Sequence, residues 1–249
     1  LFLTDERSDG PSADDPRFTR YRVNLMVGNG SGEGAPVVYE DNPTYQNLVG
    51  RIEHVAQMGT LTTDFTLIRP GALHRANGGY LVLDADKLLQ QPFAWNALKR
   101  ALNGEEIRIE PVGRLFGLVE TVSLEPEPIA LRLKVALVGE RHLYYLLKAY
   151  DPDFGPLFSV VADFNEDMPR GNGRETAYAN LIATLLARDA LKRMSRDGVA
   201  RVIDWASRRA GDGEKLSLHL GSLSRRLQEA DYFARQDGDK EIIDAAHIQ

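Results

Sequence analysis

Asp84 closes the short apolar run Leu81-Val82-Leu83. A carboxylate at the carboxyl end of a buried strand can hold Mg²⁺, usually through water, beside a bound phosphate. It can equally do no more than cap the segment that follows, and these residues alone leave both readings open. Gly78-Gly79 turns the chain into the run, because glycine reaches backbone angles that other residues avoid. The continuous apolar pattern predicts a strand covered on both faces.

Other candidate chemistry is thin. The segment GNGSGEGA at 28–35 is glycine-rich, but no lysine follows it, Glu33 adds a repelling anion, and a strand pattern comes next. A phosphate-cradling loop needs a lysine and a helix start, so that reading is rejected. The five histidines (His54, His74, His142, His219, His247) show no metal-binding spacing. Lys192 and Ser195 are three apart, a commonplace helix spacing that does not make a catalytic dyad. With no cysteine, disulfides, thiolate zinc sites and cysteine nucleophiles are excluded, which suits a reducing compartment. A net charge of −6 offers no broad basic surface for nucleic acid or anionic membrane. No apolar run reaches the roughly 18 residues of a membrane span. The start at Leu1 and the stop at Gln249 inside a helix-like pattern suggest a piece of something longer.

The elements that must position Asp84 follow in order. Residues 1–20 are polar after Leu3 and read as a mobile lead-in. Tyr21 to Val27 alternates and, with Val37–Tyr39, predicts a hairpin. Asn42-Pro43 reads as a helix start, and Gln57-Met58-Gly59-Thr60-Leu61 as an exposed loop. A helix opening at Pro92 closes at Gly104, and Ile107, Ile109 and Val112 suggest another hairpin before the EPEP run of 125–128. Leu131 to Val138 is a second buried strand, with Leu143, Leu146, Leu147 and Tyr150 on the helix after it. Phe158 to Phe164 predicts a further short strand. Beyond a linker at 169–173 the pattern turns to helices alone, with Tyr178, Ile182 and Leu186, then Val199 and Val202, then Leu216, Leu220, Leu223 and Leu227 at helical spacing. Trp95 and Trp205 read as core. The division is a lead-in at 1–20, an α/β subdomain at 21–168, the linker, and a helical subdomain at 174–249.

The stretches ALHRANGGYLVLDADKLL, NLVGRIEH, TDFTLIRPG, SLEPEPI, KVALVGERHLYYLL and LQEADYFA resemble the ATPase region of bacterial Lon-related ATP-dependent proteases, from about Tyr21 to Gln249. The resemblance implies an AAA+-like sheet sandwiched by helices, incomplete at its N-terminal side, followed by a small all-α lid. It further implies ATP and Mg²⁺ as cofactors, a homo-oligomeric ring, unfolded protein as substrate, a cytoplasmic setting, and a Ser-Lys peptidase domain outside this chain.

Leu81-Val82-Leu83-Asp84 resembles the Walker B strand, with Asp84 on the Mg²⁺ side. Ala85 stands where most such ATPases carry the glutamate that orients water, and Asp86 is one position on. Gly139-Glu140 stands at the sensor position with Arg141 beside it, and Ser159 falls where an arginine finger is expected. In the lid, His219 stands where an arginine meets the γ-phosphate in such ATPases, with Arg225 further along that helix. Met58-Gly59 resembles a pore-loop pair gripping substrate by packing alone; an ordinary core methionine is the competing reading. The implied function is substrate handling and translocation in a Lon-type serine protease, the piece alone being inactive. A non-hydrolysing ring scaffold and a nucleic-acid-remodelling ATPase are the alternatives.

Overall fold

A computed structural model describes residues 21–28, 34–57, 60–110, 124–171, 173–238 and 240–248. The chain divides between Val161 and Ala162 into two compact units. Residues 1–20, Met58, Gly59 and Val112 lie outside the described residues, and with them the lead-in, the pore-loop pair and much of the second hairpin.

The first unit is organised on three parallel strands in the order β1-β6-β9: β1 (Val37–Glu40), β6 (Tyr80–Asp84) and β9 (Lys134–Val138). Val37 lies opposite Tyr80, and Tyr80 opposite Lys134. β1 therefore does not return on residues 21–27 as a hairpin. Those residues form no strand, and Asn24 instead donates its side-chain amide to the carbonyls of Phe65 (2.8 Å) and Ile68 (3.0 Å). Nor is the alternation that of a half-buried strand, since Tyr21, Val23 and Leu25 are all exposed.

Between β1 and β6 come α1 (Tyr45–Val49), β2 (Arg51–Ile52), β3 (Val55–Gln57), β4 (Thr60–Thr62), β5 (Ile68–Arg69) and α2 (Ala72–Arg75). β2 pairs antiparallel with β5 and β3 with β4, so Gln57, Thr60 and Leu61 of the expected loop lie on paired strands. α1 is capped by Thr44, whose Oγ1 accepts from the Asn47 N–H; Asn42-Pro43 lies before the helix rather than opening it. Gly79 is required at the turn into β6, because a Cβ there would strike the Pro36 carbonyl.

After β6 the chain forms α3 (Ala85–Gln90), α4 (Ala94–Gly104), β7 (Glu106–Ile107) and β8 (Ile129–Ala130), the last two antiparallel. Gly104 is still helical, and Glu105 takes the left-handed turn at φ 50° instead. Beyond β9 come α5 (Arg141–Tyr150) and α6 (Phe154–Leu157). Phe158 to Phe164 is not a strand: it pairs with no described strand, and Val160 and Phe164 are exposed.

One face of the sheet carries Val38, Leu81, Leu83, Val135 and Leu137 into a core with Leu48, Leu73, Leu88 and Leu98 from the four helices α1 to α4. Trp95 packs against this core.

The second unit contains α7 (Arg174–Arg188), α8 (Arg196–Ala210) and α9 (Leu220–Gln236), as the helical periodicity predicts. It is not helices alone. β10 (Asp167–Pro169) pairs antiparallel with β12 (Lys215–Ser217), and β11 (Arg193–Met194) pairs parallel with β13 (Ile242–Ile243). Leu216 thus sits on a strand, and Asp167–Pro169, which the sequence divides between the end of the α/β subdomain and the linker, is paired within this unit. Its core joins Tyr178, Ile182, Val202, Leu216, Leu223 and Leu227, with Trp205 packed against it, and Tyr178 donates its hydroxyl to the Ser217 carbonyl at 2.9 Å.

Candidate functional site

The carboxyl edge of the parallel sheet gathers Glu40 at the end of β1 and Asp41 after it, Asp84 at the end of β6, and Gly139-Glu140 after β9. Asp84 lies opposite Val138, which brings the β9–α5 turn beside it. In open parallel sheets this edge is where ligands bind, since loops there diverge and helix starts converge.

Asp84 does two jobs in the backbone: it ends β6 and is the N-cap of α3, its Oδ1 accepting the Lys87 N–H at 3.0 Å. The capping reading is therefore realised. Because α3 begins at Ala85, the strand does not continue to Asp86, which lies exposed in the first helical turn and accepts from Gln90 Nε2 at 2.8 Å. Ala85 is buried, and a Cβ on Gly139 would stand 3.0 Å from the Ala85 Cβ. Two small residues let α3 start hard against the end of β9, which is the packing reason for alanine where a carboxylate is expected.

Sequence reasoning missed the neighbouring strand end. Glu40 is 9% exposed, and its carboxylate accepts from the Asn42 N–H (3.2 Å) and from Arg75 Nη2 (2.8 Å). Lys87 donates from Nζ to the Asp41 carbonyl at 3.1 Å, tying α3 to the loop after β1. The signal was the acidic pair Glu40-Asp41 after an apolar run, and it was obscured by the hairpin reading.

Arg141 is the exposed first residue of α5, preceded by Glu140, which meets His142 Nδ1 at 3.1 Å. Ser159 follows Phe158, whose ring stacks on Trp95 and on Phe154 with centroids 5.9 and 5.3 Å apart. Trp95 in turn donates Nε1–H to Asp151 Oδ2 at 2.6 Å, and Lys99 Nζ is held by Asp151 and Asp153. Burial works to lower the Lys99 pKa, but the hydrogen bonds and charges of the two aspartates outweigh it and raise the value. This aromatic and ionic cluster fixes the chain just before Ser159.

His219 and Arg225 stand in the second unit. His219 is the N-cap of α9 and its Nδ1 accepts from the Ser222 N–H at 3.3 Å. Arg225 donates Nε–H to the Gly221 carbonyl at 3.3 Å, so both are tied to the first turns of one helix.

The edge suits a water-mediated Mg²⁺ contact rather than an inner-shell cage. Asp84 offers one carboxylate with an oxygen already used as a cap. Among the described residues no group of three or more His, Asp or Glu is placed to hold a metal.

The fold defines the class first. The chain is similar in fold to NtrX from Brucella abortus (TM-score 0.53, 17% identity, 86% of this chain and 43% of that one). It is likewise similar to the same protein solved in complex with ATP (TM-score 0.52, 16% identity, 86% and 42%). The LonB-like AAA domain model matches residues 33–165, and the archaeal LonB AAA+ ATPase LID domain model matches residues 193–249. The chain belongs to the LonB-like AAA family, and is a Lon-related AAA+ ATPase region. Among curated relatives, it is 28% identical over 172 residues to a putative Lon protease homolog of Escherichia coli. It is 26% identical over 249 residues to the archaeal Lon protease of Archaeoglobus fulgidus. The matches take in 67% and 94% of this chain but only 28% and 37% of those relatives, about a third of their length.

Proposed function

We propose that the chain is the AAA+-like module of a Lon-related ATP-dependent serine protease. It acts in a homo-oligomeric ring and passes unfolded protein to a peptidase domain outside this chain. ATP with Mg²⁺ supplies the energy of phosphoryl transfer when bound. In this reading Asp84 orients the metal's water shell at the carboxyl edge of β6, Asp86 and Arg141 stand at the nucleotide side, and His219 and Arg225 serve from the helical unit. Met58 and Gly59 form the substrate-gripping pair. The observation that carries the reading is Asp84 at the end of the central parallel strand, inside the family match at 33–165. Its setting is cytoplasmic. No described helix is long and apolar enough to cross a membrane.

A second reading has its own support: a ring scaffold that assembles but neither binds nor hydrolyses ATP. Ala85 is buried against Gly139 and carries no proton acceptor, and Ser159 carries no cation. Steady-state phosphate release by the native protein separates the two. Turnover stimulated by unfolded protein supports the motor. Ring assembly with neither nucleotide binding nor turnover supports the scaffold. Absence of both would end the nucleotide-handling account.

A further inference from the structure

ATP hydrolysis needs a group that orients the attacking water and takes its proton. Ala85 is buried and has no acceptor, so in this chain the group must come from elsewhere on the carboxyl edge. The carboxylates there are Glu40, Asp41, Asp84, Asp86 and Glu140. Asp84 caps α3 through the Lys87 N–H and is the metal-side group of the nucleotide reading. Asp86 lies in the first turn of α3 and is held by Gln90 Nε2. Glu40 and Asp41 stand at and after the end of β1, on the other side of β6 from β9. The Glu40 side chain is only 11% exposed, and its two oxygens accept from the Asn42 N–H and from Arg75 Nη2.

The Ala85 methyl faces the other way, toward β9. Asp84 lies opposite Val138, so the next residues along are Ala85 and Gly139, and a Cβ on Gly139 would stand 3.0 Å from the Ala85 Cβ. The residue after Gly139 is Glu140. Its side chain is 82% exposed and therefore open to a ligand at the edge. Glu140 is the N-cap of α5 but makes no side-chain cap hydrogen bond, so its carboxylate is not spent on the helix. Its Oε2 lies 3.1 Å from His142 Nδ1, which holds the carboxylate beside the first turn of α5.

We infer that Glu140 is the catalytic carboxylate of this chain, supplying from the end of β9 the acceptor that Ala85 lacks at the end of β6. Glu140 orients a water and accepts its proton as the water oxygen bonds to the γ-phosphorus of ATP. The bond from that phosphorus to the β,γ-bridging oxygen breaks, ADP and phosphate leave, and Glu140 returns the proton to solvent. The inference rests on the nucleotide reading and deepens it, since that reading assigns no acceptor.

The test uses the native full-length protein as parent, Glu140→Gln and Glu40→Gln. Without nucleotide, Glu140→Gln should melt within about 1 °C of the parent, because an exposed side chain that caps nothing is changed for one of its own size. With Mg-ATP it should show the parent's full upward shift in melting, while phosphate release falls by about 100-fold or more. Nucleotide recovered from the variant after incubation should be ATP, where the parent yields ADP. Release within about threefold of the parent, far short of the loss of a general base, would overturn the inference. So would loss of the melting shift in Glu140→Gln, which would make Glu140 a binding group. Loss of turnover in Glu40→Gln alone would move the role to the end of β1 and overturn it equally. A parent that binds Mg-ATP and releases no phosphate would overturn it while leaving the binding site standing. A parent whose melting ignores Mg-ATP would instead remove the nucleotide reading, and this inference with it.

Discussion

Asp84 carries two roles that substitution can separate. Asparagine keeps an oxygen for the Lys87 N–H and is as good an N-cap as aspartate, so Asp84→Asn should change stability by less than about 0.5 kcal/mol. Asp84→Ala removes the cap and should cost about 1 kcal/mol, read by chemical denaturation. Loss of stability in both variants alike would mean the charge itself matters to folding. His74 offers a pH signature. It is buried, its Nδ1 accepts the Gly71 N–H at 3.3 Å, and its Nε2 has no hydrogen-bond partner. Burial first, and the charge of Arg75 second, push its pKa down to about 4 from the ordinary 6.5. Between those values the unfolded chain binds the proton and the native chain does not, so stability rises with pH there. It should fall by up to about 3 kcal/mol as pH drops from 6.5 to 4. His74→Leu should flatten that part of the stability–pH curve, and an unchanged slope would assign it to other groups.

At the scale of elements, the contact between α3 and the end of β9 explains why alanine occupies position 85. Ala85→Glu would place a carboxylate in a buried site against Gly139, and is expected to destabilise by about 2 kcal/mol or more rather than to create activity. Thermal melts and phosphate release on the same variant check both halves. The legibility of the elements followed their physics. Leu81 to Asp84 was readable as a strand because a continuous apolar run before a polar stop has few other uses. The three long helices of the second unit were readable from their period. Tyr21 to Val27 misled, since alternation does not identify a partner, and Asn24 ties that segment to Phe65 and Ile68 by its side chain. Phe158 to Phe164 has a strand's composition but pairs with no described strand, and composition alone cannot supply one. Of the site, Asp84 was visible as the end of an apolar run. The Glu40–Arg75 pair was not, because it joins the end of β1 to a helix residue 35 positions on, a contact that no local pattern encodes.

At the scale of the molecule, two cores form without sharing residues, one around Leu81 and Leu83 and one around Ile182 and Leu227. The second unit should therefore fold by itself: a polypeptide of residues 162–249 is expected to give a cooperative melt with helical circular dichroism. A non-cooperative transition would show that its core depends on the first unit. The central claim, that the carboxyl edge of the parallel sheet is a nucleotide site with Asp84 at its metal side, is tested most directly by the melting of the native full-length protein with and without Mg-ATP. At a hundredfold excess over the dissociation constant, binding should add about 2.7 kcal/mol to the native state. Asp84→Asn, which keeps the cap, should lose most of the Mg²⁺-dependent part of that gain. A native protein whose melting ignores Mg-ATP, or an Asp84→Asn variant stabilised as fully as the parent, would contradict the account.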